Sequence, residues 1–228
     1  MSSFYSDMIY EKILEAGNEA VFIATDFLDI ADYETARKAL NRLDSYGKIK
    51  KICRGVYYNP KFSELLGEYE APSPHNVALA LARKFNWTIA PSGNTALNQL
   101  GLSTQVTAHW TYISDGPYNK FTIGNIEIDF KHRSNKEISG MSYKTALVIQ
   151  ALKALGKDDI DESVITKLKK QLSTEEKDNL IKEARQTTAW VYSIIRKYGR
   201  AFTCIHSFIF FNCSFFNIII TVFLNLSE

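Results

Sequence analysis

The sequence has few of the residue patterns that mark disulfide-stabilised, metal-binding or catalytic proteins. Its three cysteines, Cys53, Cys204 and Cys213, form neither a CxxC pair nor an even disulfide framework, and no cleavable signal is recognisable, so we expect a cytoplasmic protein. The four histidines are scattered without the spacing of metal ligands, and no P-loop, GxSxG or HExxH motif is present. We therefore predict no metal, no cofactor and no enzymatic activity.

The net charge is also small, but the charged residues are unevenly distributed along the chain. The formal charge of +2 over 228 residues is too small to indicate nucleic-acid binding by itself. Residues 1–34 contain eight acidic residues and only Lys12, which gives a formal charge of −7. Residues 37–54 contain seven basic residues and only Asp44, which reverses the charge to +6. Runs of charged residues usually form solvent-exposed faces. Whether the basic run at 37–54 has a function therefore depends on which helices and strands carry it.

Hydrophobic spacing in the first sixty residues predicts a winged helix-turn-helix domain over residues 1–60. Asp32 is placed to cap the longest helix and Gly47 to end it, while Thr25 is placed to cap a shorter one. The predicted elements are a helix at 5–16, a strand at 21–23, a short helix at 25–30, a helix at 33–46, and two short strands within 48–58 around a basic turn.

The basic residues fall on the elements that would contact DNA. In a winged helix-turn-helix the second helix enters the major groove, where arginine binds guanine and asparagine binds adenine, while cations on the hairpin suit phosphates. The predicted double-stranded DNA-binding residues are Arg37, Lys38, Asn41, Arg42, Lys48, Lys50, Lys51 and Arg54.

The remainder of the chain predicts a second domain of mixed α and β structure, so that the fold class is α+β. A linker is predicted at 61–73, and the second domain at 74–199 with helices at its C-terminal end. Alternating residues around Gly124-Asn125 predict a hairpin, and Ser173 with Glu176 predicts a capping box at the start of a long last helix. The other predicted elements are helices at 75–85, 94–100, 142–155, 162–172 and 175–198, and strands at 87–90 and 106–114.

The C-terminal residues 200–228 form an apolar tail. Residues 201–226 contain no charge and are long enough to span a membrane, but Asn212 and Asn217 are among several polar residues that interrupt them. We favour a tail outside the working fold over a membrane anchor.

Several motifs together resemble the AbiEi-like antitoxin family of type IV toxin–antitoxin systems. The resemblance covers about residues 5–199, and its most selective stretch is the long motif that begins at Pro91. The motifs are Ala39-Leu-Asn-Arg-Leu43, Gly47-Lys-Ile49, Arg54-Gly-Val-Tyr-Tyr-Asn-Pro60, Pro91-Ser-Gly-Asn-Thr-Ala-Leu-Asn-Gln-Leu-Gly-Leu102, Asp115-Gly-Pro117 and Ile128-Asp-Phe-Lys-His132. The resemblance implies a repressor that binds the operator of its own operon and counters a nucleotidyltransferase-like toxin, without a cofactor.

Other interpretations remain open at this point. The N-terminal domain could dock a protein instead of DNA, the regulator could be tethered to a membrane through 201–226, and the chain could form a homo-oligomer. An enzyme-like antitoxin that modifies its partner is the other alternative, although caps, turns and strand faces account more simply for its polar residues. These residues are Ser92, Asn94, Asp115, Asp129, Lys131 and His132.

Overall fold

The computed structural model describes residues 2–18, 20–65, 67–105, 107–134, 138 and 140–198. Within these residues the chain is a mixed α+β protein with small sheets, which confirms the predicted class. It divides into two compact units, Met1–Pro91 with Val106–Ile138, and Ser92–Gln105 with Ser139–Glu228. The tail at 200–228, and with it the membrane-anchor alternative, lies outside the described residues. None of the helices in the described ranges has the length and apolar composition of a membrane span.

The first unit contains the N-terminal helices and all of the strands assigned in the described residues. Its elements are α1 (Ser2–Glu15), β1 (Val21–Phe22), a 3-10 helix (Ala24–Phe27), α2 (Tyr33–Ser45), β2 (Lys50–Cys53), β3 (Val56–Tyr58), β4 (Phe62–Ser63), β5 (Glu68–Tyr69), α3 (Pro74–Phe85), β6 (Ile89–Pro91), β7 (His109–Ser114), β8 (Asn119–Ile123) and β9 (Ile126–His132).

The start and end of α2 follow from local chemistry. Asp32 precedes the helix with extended backbone, and its Oδ1 accepts a 3.0 Å hydrogen bond from the amide of Thr35, as predicted. Gly47 follows the helix at φ +72°, a conformation that few other residues adopt without strain. The predicted cap by Thr25 is wrong, because the carboxylate of Asp26 instead accepts from the amide of Ile23 before the 3-10 helix.

A three-stranded antiparallel sheet holds the basic hairpin, with β3 between β1 and β2. Successive residues of a strand point to opposite faces, and in β3 both faces are buried. Tyr57 joins a buried cluster with Ile9, Phe27 and Leu40, whose members come from α1, the 3-10 helix and α2. The neighbouring residues of β3 belong to a different cluster.

That second cluster connects the hairpin to α3 and to a four-stranded sheet of order β6–β7–β9–β8. In this sheet β7 and β9 are parallel, and the predicted hairpin at Gly124-Asn125 joins the antiparallel strands β8 and β9. Val56 and Tyr58 are buried in the same cluster as Leu81 and Phe130. Because these residues share one core, the division between the units differs from the predicted boundaries at 60 and 74.

The predicted linker at 61–73 contains a small hairpin of its own. Its strands, β4 and β5, are antiparallel, with Phe62 opposite Tyr69. The two rings make an edge-to-face contact with their centroids 5.3 Å apart. Residues 61–73 therefore include ordered structure where the sequence predicts only a connection.

The second unit is helical in its described residues. Its elements are α4 (Asn94–Gln99), α5 (Tyr143–Leu155), α6 (Glu162–Gln171), α7 (Thr174–Glu183), a 3-10 helix (Ala184–Gln186) and α8 (189–198). The capping box of Ser173 and Glu176 starts α7 as predicted. The single helix predicted at 175–198 is wrong, because Thr187 has extended backbone with ψ 179°. Thr187 and Thr188 are β-branched and favour helix poorly, so the chain breaks there into two helices.

We expect Gly116→Ala to destabilise the first unit. A Cβ at Gly116 would overlap the indole of Trp87, which is packed edge-to-face against Phe130. Overpacking of this kind costs about 1–3 kcal/mol of unfolding free energy. Urea unfolding of the variant should show this loss, whereas Thr122→Ala, at an exposed position of β8, should change stability by less than about 0.5 kcal/mol. Equal stability of the two variants would contradict the packing described for the turn.

Candidate nucleic-acid interface

An open cavity of about 510 Å³ in the first unit is lined by residues of α2 and of the β2–β3 hairpin. Ile23, Ala24 and Thr25 complete one wall, and Lys84 of α3 contributes another side chain. Four cations and one carboxylate line the cavity, which favours an anionic ligand. The charged residues of the lining are Arg37, Lys51, Arg54, Lys84 and Glu34.

The structure brings together four of the eight residues predicted to bind DNA. Arg37 and Asn41 are four residues apart on α2 and therefore share one helix face, opposite the buried Ala36, Ala39 and Leu43. Lys51 and Arg54 reach the same cavity from the hairpin. The backbone amide of Lys51 donates a 3.1 Å hydrogen bond to Oδ1 of Asp44, which ties the hairpin to the C-terminal end of α2. These four residues, Arg37, Asn41, Lys51 and Arg54, are called the convergent set below.

The other four predicted residues do not line this cavity. Lys38 and Arg42 each follow a member of the convergent set by one residue, so they form a neighbouring stripe about 100° further around α2. Lys48 places its Nζ 4.5 Å from the centre of the Tyr10 ring. Lys50 lies on the opposite face of β2 from Lys51, with its Nζ 3.6 Å from the centre of the Tyr69 ring. The predicted surface is thus divided into groups that face different surroundings.

The carboxamide of Asn41 is held at both ends. Its Nδ2 donates a 3.0 Å hydrogen bond to the carbonyl of Arg37, and its Oδ1 accepts a 2.9 Å hydrogen bond from the hydroxyl of Tyr57. Burial raises the pKa of Tyr57, with the nearby Asp44 adding to the increase, so the hydroxyl stays protonated and remains a donor. The hydrogen bond joins β3 to α2 beside the cavity.

The guanidinium of Arg37 is paired with Glu34 one turn earlier in α2. Nη2 of Arg37 lies 2.8 Å from Oε2 of Glu34, and Nε lies 3.2 Å from the same oxygen. Hydrogen bonding to Arg37 lowers the pKa of Glu34, and the reciprocal bond raises the pKa of Arg37. Both groups therefore stay charged, although the pair is exposed and adds little to stability.

The sequence prediction lacks several residues of the site, among them Glu34, Tyr57 and Lys84. Tyr57 is a strand residue whose hydrogen-bond partner becomes visible only when β3 is placed beside α2. Lys84 stands in the last turn of α3, where a basic residue is explained by the helix dipole alone. Its Nζ donates to the carbonyl of Arg54, which fixes it at the turn of the hairpin. No local pattern distinguishes Tyr57 or Lys84.

The polar residues that could serve an enzyme do not form one site. They make separate structural hydrogen bonds or belong to different units. The carboxylate of Asp115 accepts a 2.8 Å hydrogen bond from the amide of Thr88, and Nδ1 of His132 lies 2.9 Å from the carbonyl of Gly116. Ser92 and Asn94 belong to the second unit, whereas Asp115, Asp129, Lys131 and His132 belong to the first. Among the described residues no three His, Cys, Asp or Glu side chains gather as a metal ion would require.

A model of a family of unknown function, DUF6088, matches residues 8–180 of the chain. The match spans the first unit and most of the described second unit. No curated protein matches the sequence.

We expect the Tyr57–Asn41 hydrogen bond to contribute measurably to stability. Because the hydroxyl of Tyr57 is buried, Tyr57→Phe should lower the unfolding free energy by about 1 kcal/mol. A double-mutant cycle of Tyr57→Phe with Asn41→Ala should give a coupling free energy of about 0.5–1.5 kcal/mol. Tyr46→Phe is the control, since Tyr46 is 74% exposed and should show no such loss. A coupling free energy near zero would mean that the two groups do not interact.

Proposed function

The chain belongs to the DUF6088 family, and we propose that it is a transcriptional regulator that binds double-stranded DNA through a winged helix-turn-helix in its first unit. The observation that carries this proposal is the convergence of Arg37, Asn41, Lys51 and Arg54 on one open cavity. A helix and a hairpin that present cations to the same space form a surface that suits a groove and its flanking phosphates.

The order of elements supports the winged assignment. A helix, a short strand, a short helix, a longer helix and a two-stranded hairpin follow one another, and the short strand β1 pairs with the second strand of the hairpin. In this arrangement α2 is the recognition helix and β2–β3 is the wing. With 13 residues, α2 is about 20 Å long, enough to lie along a major groove that is about 12 Å wide.

The placement of negative charge supports the same surface. Asp26 and Asp29 are engaged in ion pairs, with Arg83 and Lys12 respectively, and neither carboxylate lines the cavity. Glu34 is the only carboxylate among the cavity residues, and it is paired with Arg37. Among the residues that line the cavity, a phosphate therefore meets four cations and no unpaired carboxylate.

The motif resemblance extends the proposal to a biological role. It supports an antitoxin of a type IV toxin–antitoxin system that represses its own operon and counters a nucleotidyltransferase-like toxin. The polar residues that the alternative enzyme would use are spread over both units, and none of them lines the cavity beside α2. A non-enzymatic regulator is the simpler proposal.

Gel-shift titrations with the full chain test the DNA-binding proposal. The probe is the DNA upstream of its own gene, titrated at several salt concentrations. Arg37→Ala with Lys51→Ala should reduce affinity at least about fivefold and reduce the slope of log K against log salt by about 1, because a base contact and a phosphate contact are lost.

The matched control removes the same charge from the second unit. Lys167→Ala with Lys170→Ala changes two exposed lysines of α6 and should leave affinity and salt slope unchanged. Thermal unfolding of both double variants checks that they are folded. Unchanged affinity and slope for Arg37→Ala with Lys51→Ala would overturn the proposed binding surface.

Growth measurements test the antitoxin role separately. The antitoxin role requires a nucleotidyltransferase-like toxin encoded beside the gene, and co-expression of the chain with that toxin should restore the growth that the toxin alone suppresses. The control is an equal level of an unrelated DNA-binding protein, which should not restore growth. Failure of rescue with folded, expressed protein would refute the antitoxin role and leave the DNA-binding proposal standing.

A further inference from the structure

The hydrogen bonds of Arg37 occupy only one edge of its guanidinium. Nε and Nη2 contact Glu34 at distances of 2.8 to 3.3 Å. A guanidinium has five N–H groups, and these contacts leave both N–H groups of Nη1 and one of Nη2 without a partner among the described residues. Nη1 and Nη2 together form the fork that binds two acceptors at once. Glu34 therefore occupies the edge formed by Nε and Nη2, and the edge formed by Nη1 and Nη2 stays available for a ligand.

Both partners in this pair come from the same helix, so the pair forms without DNA. Glu34 and Arg37 are three residues apart in α2, and the side chain of Arg37 is 45% exposed at the cavity. An arginine that is already oriented loses less side-chain entropy when it binds than a free one. This orientation suits a hydrogen bond to a base edge, which has a defined direction, better than a phosphate contact, which requires only positive charge.

Asn41 differs from Arg37, because both ends of its carboxamide already bind groups of the protein. A bidentate contact with adenine needs Oδ1 as an acceptor and Nδ2 as a donor on the same edge of the amide. In the structure Oδ1 accepts from Tyr57 and Nδ2 donates to the carbonyl of Arg37. These two bonds fix the orientation of the carboxamide, so any rotation of the amide towards a base would break the bond from the buried hydroxyl of Tyr57 at an energetic cost.

We propose that Arg37, oriented by Glu34, is the residue that reads a guanine base, and that Asn41 is a positioning residue that joins α2 to the wing. Guanine presents two acceptors, O6 and N7, at the major-groove edge, which match the free fork of Arg37. The inference rests on the proposed DNA-binding function and assigns a base to one residue of it. It replaces the adenine contact expected for Asn41 from the sequence.

Selection from a randomised duplex library by the full chain tests this assignment. The wild-type chain should select duplexes with a guanine at a fixed position. Arg37→Ala removes the guanidinium, so it should lose that preference by roughly 5- to 150-fold. Replacing the selected guanine by 7-deazaguanine, which lacks the N7 acceptor, should weaken wild-type binding and leave the binding of Arg37→Ala unchanged.

Two further variants separate the roles of the neighbours. Asn41→Ala should retain the guanine preference and should remove no adenine preference. Lys38→Ala is the matched control on the next stripe of α2, and it should lower affinity without changing the selected bases. Thermal unfolding of each variant confirms that the readout concerns folded protein.

The possible outcomes distinguish this inference from the function on which it rests. If Arg37→Ala retains the guanine preference of a wild-type chain that does bind DNA, the assignment is overturned and the DNA-binding function stays intact. Loss of an adenine preference in Asn41→Ala overturns the positioning role. A wild-type chain that binds duplex DNA without enriching a guanine overturns the inference alone, and a wild-type chain that binds no duplex overturns both the inference and the proposed function.

Discussion

The short strand β3 is buried on both faces, and this constraint organises the first unit. Tyr57 points to the cluster that contains residues of α1 and α2, while Val56 and Tyr58 point to the cluster shared with α3 and the four-stranded sheet. A hairpin built on such a strand cannot move independently of either core. The same alternation assigns the partner strand, so that Lys51 lies at the cavity and Lys50 against Tyr69. The position of the β2–β3 hairpin beside α2 is thus a consequence of packing.

The elements that the sequence predicts correctly are those that depend on near neighbours. Asp32 caps α2 through a residue three positions away, and Gly47 ends it through its own backbone conformation. The shared core of β3 could not be predicted this way, because a run of three apolar residues does not reveal which partner each face will meet. For the same reason the sequence pattern does not predict Tyr57 and Lys84, and it predicts a single group for Lys48, Lys50, Lys51 and Arg54. Their partners lie on other elements, so only the tertiary structure separates them.

The acidic segment at the start of the chain has a more specific role than its net charge indicates. Its carboxylates are distributed over different tasks: Asp32 caps a helix, Asp26 binds both an amide and Arg83, and Glu34 orients Arg37. Exposed ion pairs of this kind add little to the free energy of folding. Their effect is to fix directions, and of these three carboxylates only that of Glu34 lines the cavity.

Orientation also explains why the cations of the proposed interface differ in their surroundings. A phosphate attracts a positive charge from any direction, so lysine and arginine on a hairpin contribute there without a rigid side chain. The edge of guanine offers two acceptors at a fixed spacing, and a guanidinium held in one plane matches both. Glu34 supplies that restraint to Arg37, whereas Lys51 is fixed through its backbone amide alone, with its ammonium group left to adjust. The proposed interface therefore gives base reading to α2 and phosphate binding to the hairpin, according to how tightly each side chain is held.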